Sequence, residues 1–296
     1  MNIRTLYQKL FLSNLYFTIA LRKHGAGITS DRKFSPDYIM PAKQSKWAAD
    51  PILADHAGKT YLFYEAVENG RGHIEVSEVR EDCTLSEPKV ILKDNVHYSY
   101  PFVFQKDGVW YMIPETSEAR EVRLYRAVDF PEKWELHTVL LRERTVDTTV
   151  FEHEGQYYLL TFLVDGMTER VSPRAYRLSW GENIQMQQIA WKEFDELRVR
   201  GAGPLWHEED RLIRPAQISQ EQRYGDGLVF YSVDLSDGYT EEPVFEMTSA
   251  DLKIRGRYAD GLHTYCASER FESIDIRLRD LDLKKPIKKL TRKLGK

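Results

Sequence analysis

At 296 residues, with 12% aromatic side chains, 17 Tyr and only Cys83 and Cys266, the chain suits one large all-β domain and carries no disulfide or zinc framework. The net charge of −4 hides a split: residues 284–296 hold seven Lys/Arg and no acid, which leaves 35 basic against 46 acidic residues over 1–283, or −11. So acidic a body argues against nucleic acid as a partner, and no apolar run reaches spanning length, so a cytoplasmic protein is expected.

Residues 1–40 read as an N-terminal extension, with helix or strand left open over the partly apolar 1–30. A phrase of turn, aromatic strand and polar residue then recurs as GKTYLFYE (58–65), GVWYMIPE (108–115), GQYYLLTF (155–162), DRLIRPAQ (210–217) and GLHTYCAS (261–268). Its copies start 50, 47, 55 and 51 residues apart. Spacing near fifty residues marks a propeller, because each small sheet buries its faces only against its neighbours. Period-two strands flank each copy, and Asp-Gly at 107–108, Glu-Gly at 154–155 and Glu-Asp at 209–210 fall where hairpins need residues tolerant of positive φ. The expected fold is therefore an all-β five-bladed propeller over 41–283, followed by a basic tail at 284–296. Helix is expected only weakly, at 131–140 and 284–295. The tail, joined by Arg4, Lys9, Arg22 and Lys23, is either a contact for anionic lipid or a solvated terminus.

Inner strands of a propeller begin near its axis, so polar residues at matching places converge there. Asp50, before Pro51, and Asp147, in VDTTVF, hold the matching place in the first and third units. The second has His97, Tyr98, Ser99 and Tyr100 before Pro101. Glu65 and Glu115 end the aromatic strands FYE and IPE. Paired carboxylates in one concavity suit acid/base work on a sugar acetal, with Glu115 as proton donor, Asp50 as base or nucleophile and Asp147 as modulator or binder. Each Asp alone is equally a turn residue bonding its own backbone. Arg214, Gln217 and His263 are candidates to hold substrate hydroxyls or an anionic group, with Glu65, His97 and Tyr100 beside them. A structural salt bridge is an equal reading for Arg214. Tyr100 and Tyr111 offer stacking faces, though packing suits Tyr111 better. No His or Cys pair has metal-ligand spacing, and neither metal nor cofactor is expected.

Taken together, ADPIL, YLFYE, HYSYPFVF, WYMIPET, LYRAVDFPEKW, VDTTVF, RPAQ, YGDG and LHTY resemble the five-bladed propeller that is the N-terminal domain of plant glucosamine inositolphosphorylceramide transferases and of bacterial stand-alone relatives. The resemblance covers about 40–280. That domain is similar to the propellers of glycoside hydrolase families 43 and 32, whose three acids line an axial funnel. It implies that Asp50 matches the hydrolases' base or nucleophile. Where family 43 places a second Asp, after the second-blade Pro, this chain has Phe102. The transferase's own catalytic domain lies C-terminal to its propeller, so the resemblance does not carry sugar transfer to this sequence. The expected partner is a carbohydrate or glycolipid. The first reading is a glycoside hydrolase or transglycosylase acting on a surface-polysaccharide or glycolipid-type glycan. A non-catalytic glycan-binding module of polysaccharide or glycolipid biosynthesis is the alternative, and a protein-interaction propeller is the third.

Overall fold

A computed structural model describes residues 15–43, 45–220, 223–254, 258–279 and 281. The tail at 284–296, the candidate helix at 284–295, and Arg4 and Lys9 lie outside them. Two strands come first, β1 (Tyr16–Lys23) and β2 (Tyr38–Ile39). The first blade is β3 (Lys46–His56), β4 (Lys59–Glu68), β5 (Arg71–Val79) and β6 (Lys89–Leu92). The second is β7 (Ser99–Lys106), β8 (Val109–Glu115), β9 (Val122–Asp129) and β10 (Lys133–Leu141). The third follows with β11 (Thr145–His153), β12 (Gln156–Val164), β13 (Val171–Ser179) and β14 (Gln185–Ile189), and the fourth with β15 (Trp206–Glu208), β16 (Arg211–Gln220), β17 (Arg223–Asp234) and β18 (Thr240–Thr248). Each of these four blades is an antiparallel meander in chain order.

The fifth blade is assembled from both ends of the chain. Strands β19 (Tyr258–Gly261) and β20 (Tyr265–Ala267) pair with β21 (Phe271–Arg279), which pairs along its length with β1, and β1 in turn with β2. Residues 16–39 are thus propeller rather than extension, and their entry strand closes the ring, which removes two exposed sheet edges. This also moves the fifth copy of the repeat: GLHTYCAS forms the inner strand of its blade, whereas the other four copies form second strands. Residues 131–140 are not helical. They supply most of β10, where Trp134 packs against Phe63 across the blade interface.

The hairpins at Asp107-Gly108 and Glu154-Gly155 bear out the turn reading, with positive φ at both positions, as a two-residue turn matching strand twist requires; Ala57-Gly58 does the same, whereas at Glu209-Asp210 only Glu209 has positive φ. These turns share one end of the molecule, and the axial cavity opens at the other. Apolar side chains from adjacent blades interlock between the sheets, with Phe63, Met112 and Val103 between the first two and Phe230, Tyr265 and Ile274 between the last two. Among the described residues, no helix is long and apolar enough to cross a membrane.

Candidate active site

One backbone device, repeated, builds the site. The register of the inner pair slips between Ala49 and Ile52 in the first blade, Ser99 and Phe102 in the second, and Val146 and Thr149 in the third. At each bulge one residue is left-handed: Asp50 (φ 54), Tyr100 (φ 39) and Asp147 (φ 51). Such bulges re-aim a side chain at about 1–3 kcal/mol of strain each, and Asp adopts this conformation more readily than most residues. Opposite the residue before each of the first two bulges stand Glu65 and Glu115.

These groups meet in an axial cavity of about 570 Å³, a volume suited to a small ligand. Asp50, Glu65, His97, Glu115, Asp147 and His263 all line it. Asp50 is 6% exposed and well held. Its carboxylate accepts hydrogen bonds from Tyr100 N–H and the Thr264 hydroxyl, both at 3.0 Å, and its own N–H donates to Asp275 at 3.1 Å. His263 lies between two carboxylates, Nδ1 2.5 Å from Asp275 and Nε2 3.5 Å from Asp50. The Nδ1 contact is a charge contact rather than an aligned N–H···O bond. Burial opposes charge on His263, but Asp275 and then Asp50 outweigh it and raise its pKa to about 9. Burial pushes Asp50 up to about 7; His263 pulls the other way, and Glu65 adds to the rise.

In the same cavity, Glu115 has its side chain 15% exposed. Burial, reinforced by the negative charge of Asp147, raises its pKa to about 8 against the pull of Arg200, so it holds its proton at neutral pH. Asp147 is gripped by Arg200, with Nε donating to Oδ2 at 2.6 Å and Nη2 to Oδ1 at 3.2 Å. Arg200 Nη2 also stands 3.8 Å from Glu115. Near the mouth, Gly72 N–H donates to His97 Nδ1 at 3.0 Å, leaving Nε2 to face Glu65 at 3.0 Å. Gly72 is required here, because a Cβ would fall 2.5 Å from the Glu65 carboxylate.

Three expected site residues lie elsewhere. Tyr100 is buried between blades, its hydroxyl meeting Thr149 at 3.0 Å and accepting from Gly203 N–H at 2.8 Å. Arg214, 1% exposed, makes a two-pronged ion pair with Glu241 at 2.8 Å and lies over the rings of Phe162, Trp191 and Tyr231. That is the salt-bridge reading, realised between blades rather than at the mouth. Gln217 acts from behind the cavity wall, donating to Gly201 O at 2.7 Å and to Asp147 at 3.4 Å. Tyr111 packs against Phe104 and Trp180, and Phe102 fills core.

The cavity also holds residues that the repeat did not single out: Trp47, Arg144, Arg200 and Tyr224, with Asp275 beneath. Arg200 and Gly201 sit in RVRGAGP, where close-spaced glycines signal a tight approach to the axis, and Asp275 is the lone acid in the apolar alternation of SIDIRL. Trp47 and Tyr224 are aromatic side chains lining the cavity, where Tyr100 and Tyr111 were expected. Phe17 links Trp47, at 5.9 Å, to His263, stacked at 4.4 Å. Ligand atoms of Asp50, His263 and Asp275 lie within 4.8 Å of one another, a clustering that sequence spacing did not reveal. The donor set fits a cation poorly: Asp275 already accepts three backbone N–H bonds, and the charged imidazole takes the cation's place.

Comparison with known proteins agrees with this architecture. The family model described as "Glucosamine inositolphosphorylceramide transferase 1, N-terminal" matches residues 37–260. The chain is 29% identical over 212 residues to glucosamine inositolphosphorylceramide transferase 1 of Oryza sativa subsp. japonica, covering 68% of the chain and 28% of that protein. It is 39% identical over 119 residues to the Arabidopsis thaliana protein of the same name, covering 39% of the chain and 16% of that protein. The chain thus spans well under a third of these relatives' length. The catalytic domain of a family 62 α-L-arabinofuranosidase from Coprinopsis cinerea shares the fold at TM-score 0.60 and 10% identity, covering 88% of this chain and 97% of that one. A β-1,2-mannobiose phosphorylase from Listeria innocua does so at TM-score 0.55 and 12% identity, covering 94% and 99%.

Proposed function

The chain belongs to the glucosamine inositolphosphorylceramide transferase N-terminal family, and from that membership we propose that its axial cavity binds a glycan of glycolipid or surface-polysaccharide type and acts on a glycosidic bond. The observation that carries this reading is Glu115, a carboxyl lining the cavity with its pKa raised to about 8, in company with an Asp50 paired to His263. Glu115 donates its proton to the glycosidic oxygen as that oxygen leaves the anomeric carbon. Ionised Asp50 takes the proton of the attacking water or attacks the carbon itself. Asp147, fixed by Arg200, keeps Glu115 protonated, and Trp47 offers the sugar a stacking face.

The test is turnover and binding of a glycan panel by the purified protein and by Asp50→Asn and Glu115→Gln. Glu115→Gln is expected to lower turnover by about 10²–10⁴-fold while binding persists. Unchanged turnover in both variants would sink the assignment. Wild-type binding without turnover would favour the second reading, a glycan-binding module. That reading draws on Phe102, which puts core where a hydrolase acid would stand, and on the Asp50 oxygens already accepting two hydrogen bonds.

A further inference from the structure

A second cavity, of about 330 Å³, lies between the first and fifth blades. One strand of its floor carries an unusual alternation. In HIEVSEV, His73, Glu75 and Ser77 share one face of β5, where two packed blades call for apolar residues, yet they are only 4%, 6% and 3% exposed. Tyr64, paired with Glu75 across β4, adds a fourth polar group. Ala48 and Ala66, a cross-strand pair of small side chains, leave the space above them open.

The walls are fixed on both sides. From the fifth blade come Tyr38 of β2 and Met40, which donates its N–H to Ile19 O at 2.8 Å and accepts from the Thr18 hydroxyl at 2.6 Å. From the first blade, the connection after β5 supplies Leu85 and Ser86. Glu78 N–H donates to Ser86 Oγ and Ser86 N–H to Glu78 O, each at 2.9 Å. Trp47 lines this cavity and the axial one alike.

Glu75 decides what can enter. Tyr64 O–H donates to its Oε2 at 2.9 Å, and His73 Nε2 stands 3.1 Å from its Oε1. Burial opposes its charge, but the contacts with His73 and Tyr64 outweigh burial and hold the carboxyl below its ordinary range, so it is ionised at neutral pH. A carboxylate has about four acceptor positions, so each oxygen can take one more donor. Ser77 Oγ, buried against Tyr64, has no aligned partner. An apolar ligand would strand these groups in a dry contact, and an organic anion would meet both Glu75 and Glu87. An organic cation would find Glu75 already served and exposed Lys46 lining the same space. A sugar ring suits every one of them: its hydroxyls donate to Glu75 and accept from Ser77, and its C–H face covers an aromatic ring.

We propose that this side cavity is a second carbohydrate site, which takes one neutral pyranose ring with its hydroxyls on Glu75 and Ser77 and its C–H face on the aromatic wall. Because one indole borders both cavities, a ring held here restrains Trp47 against the axial cavity. That this ring belongs to the glycan on which the axial cavity acts rests on the reading above; the binding itself does not.

The experiment titrates the full chain with the methyl pyranosides of glucose, mannose, galactose and N-acetylglucosamine, read by NMR at the indole N–H signals of its 6 Trp. Trp47→Phe identifies the Trp47 signal. At least one pyranoside is expected to move that signal saturably. Glu75→Gln should weaken the binding at least about tenfold, because the acceptor loses its charge. Glu87→Cys, exposed at the rim and alkylated with a bulky maleimide, should abolish the binding with the polar groups of the floor intact. Alkylated Val90→Cys, exposed on β6 outside the cavity, should bind like the wild type, and the native Cys83 and Cys266 are buried from the reagent. No response of Trp47 to any of the four sugars overturns the proposal. So does a response that survives both Glu75→Gln and the alkylated Glu87→Cys, which would put the ring in the axial cavity alone. Neither outcome touches turnover by Asp50 and Glu115, and an axial cavity without turnover leaves this titration standing.

Discussion

His263 matters because it sets the charge of Asp50 from inside the wall. In the proposed reaction Asp50 acts ionised and Glu115 protonated, so activity should rise as pH passes about 7 and fall as it passes about 8. In His263→Gln the opposing positive charge is gone, and the acidic limb is expected to move up by about one pH unit or more while the alkaline limb stays. A pH–rate profile with both limbs in place would refute this. The same residue predicts a stability trend. Its folded pKa of about 9 lies above the unfolded 6.5, so its contribution is complete below about 6.5 and disappears as pH rises through 9. The denaturation midpoint of the wild type should therefore lead that of His263→Gln at pH 6 and lose part of that lead by pH 9. Glu115 was legible in sequence because the repeat puts it at the end of its blade's second strand, and His263 because it stands within the fifth copy, although that copy forms an inner strand. Asp275 and Arg200 were not, since one lies on a strand whose blade is out of step with the repeat and the other in an irregular connection.

The bulge on the inner strands turns a sequence repeat into a site. Aligning Asp50-Pro51 with Tyr100-Pro101 was sound, since both residues occupy the left-handed position. Sequence could not tell which way each side chain would go. The small Asp turns to the cavity, whereas the long Tyr100 runs between blades to reach Thr149 and the Gly203 N–H, because a ring gains more by burial than at a polar mouth. Gly203 keeps the fourth blade in the same scheme. At φ 132 it abuts the fifth blade so closely that a Cβ would lie 1.9 Å from the Tyr265 oxygen. Gly203→Ala is expected to cost about 3 kcal/mol or more, through backbone strain and displacement of β20, and to weaken glycan binding. Chemical denaturation measures the first and calorimetry the second; a loss below about 0.5 kcal/mol would mean that the blades part more easily than their packing indicates.

Five blades were legible because a near-fifty-residue period is local information, whereas closure pairs residues 250 apart and leaves no periodic trace. The segment assigned to an extension is the strand that shuts the ring, and Arg22, counted by charge among lipid contacts, is inside it. Its guanidinium binds Glu272 and donates to Lys33 O at 3.0 Å, while Tyr265 O–H donates to the other Glu272 oxygen at 2.6 Å. Glu272 is fully buried, so removing its cation leaves a carboxylate with one neutral donor in a dry interface. Arg22→Met should therefore destabilise the whole propeller by about 3–5 kcal/mol, because an open ring exposes faces of its first and last blades together. If the loss comes from the uncompensated charge, Arg22→Met/Glu272→Gln should recover most of it, with Tyr265 still bonded to the amide oxygen. Urea unfolding of both variants decides the matter: equal losses would mean that the ion pair itself holds the ring closed, and a recovered double variant would assign closure to apolar pairing of β1 with β21 and the single variant's loss to the bare Glu272 carboxylate.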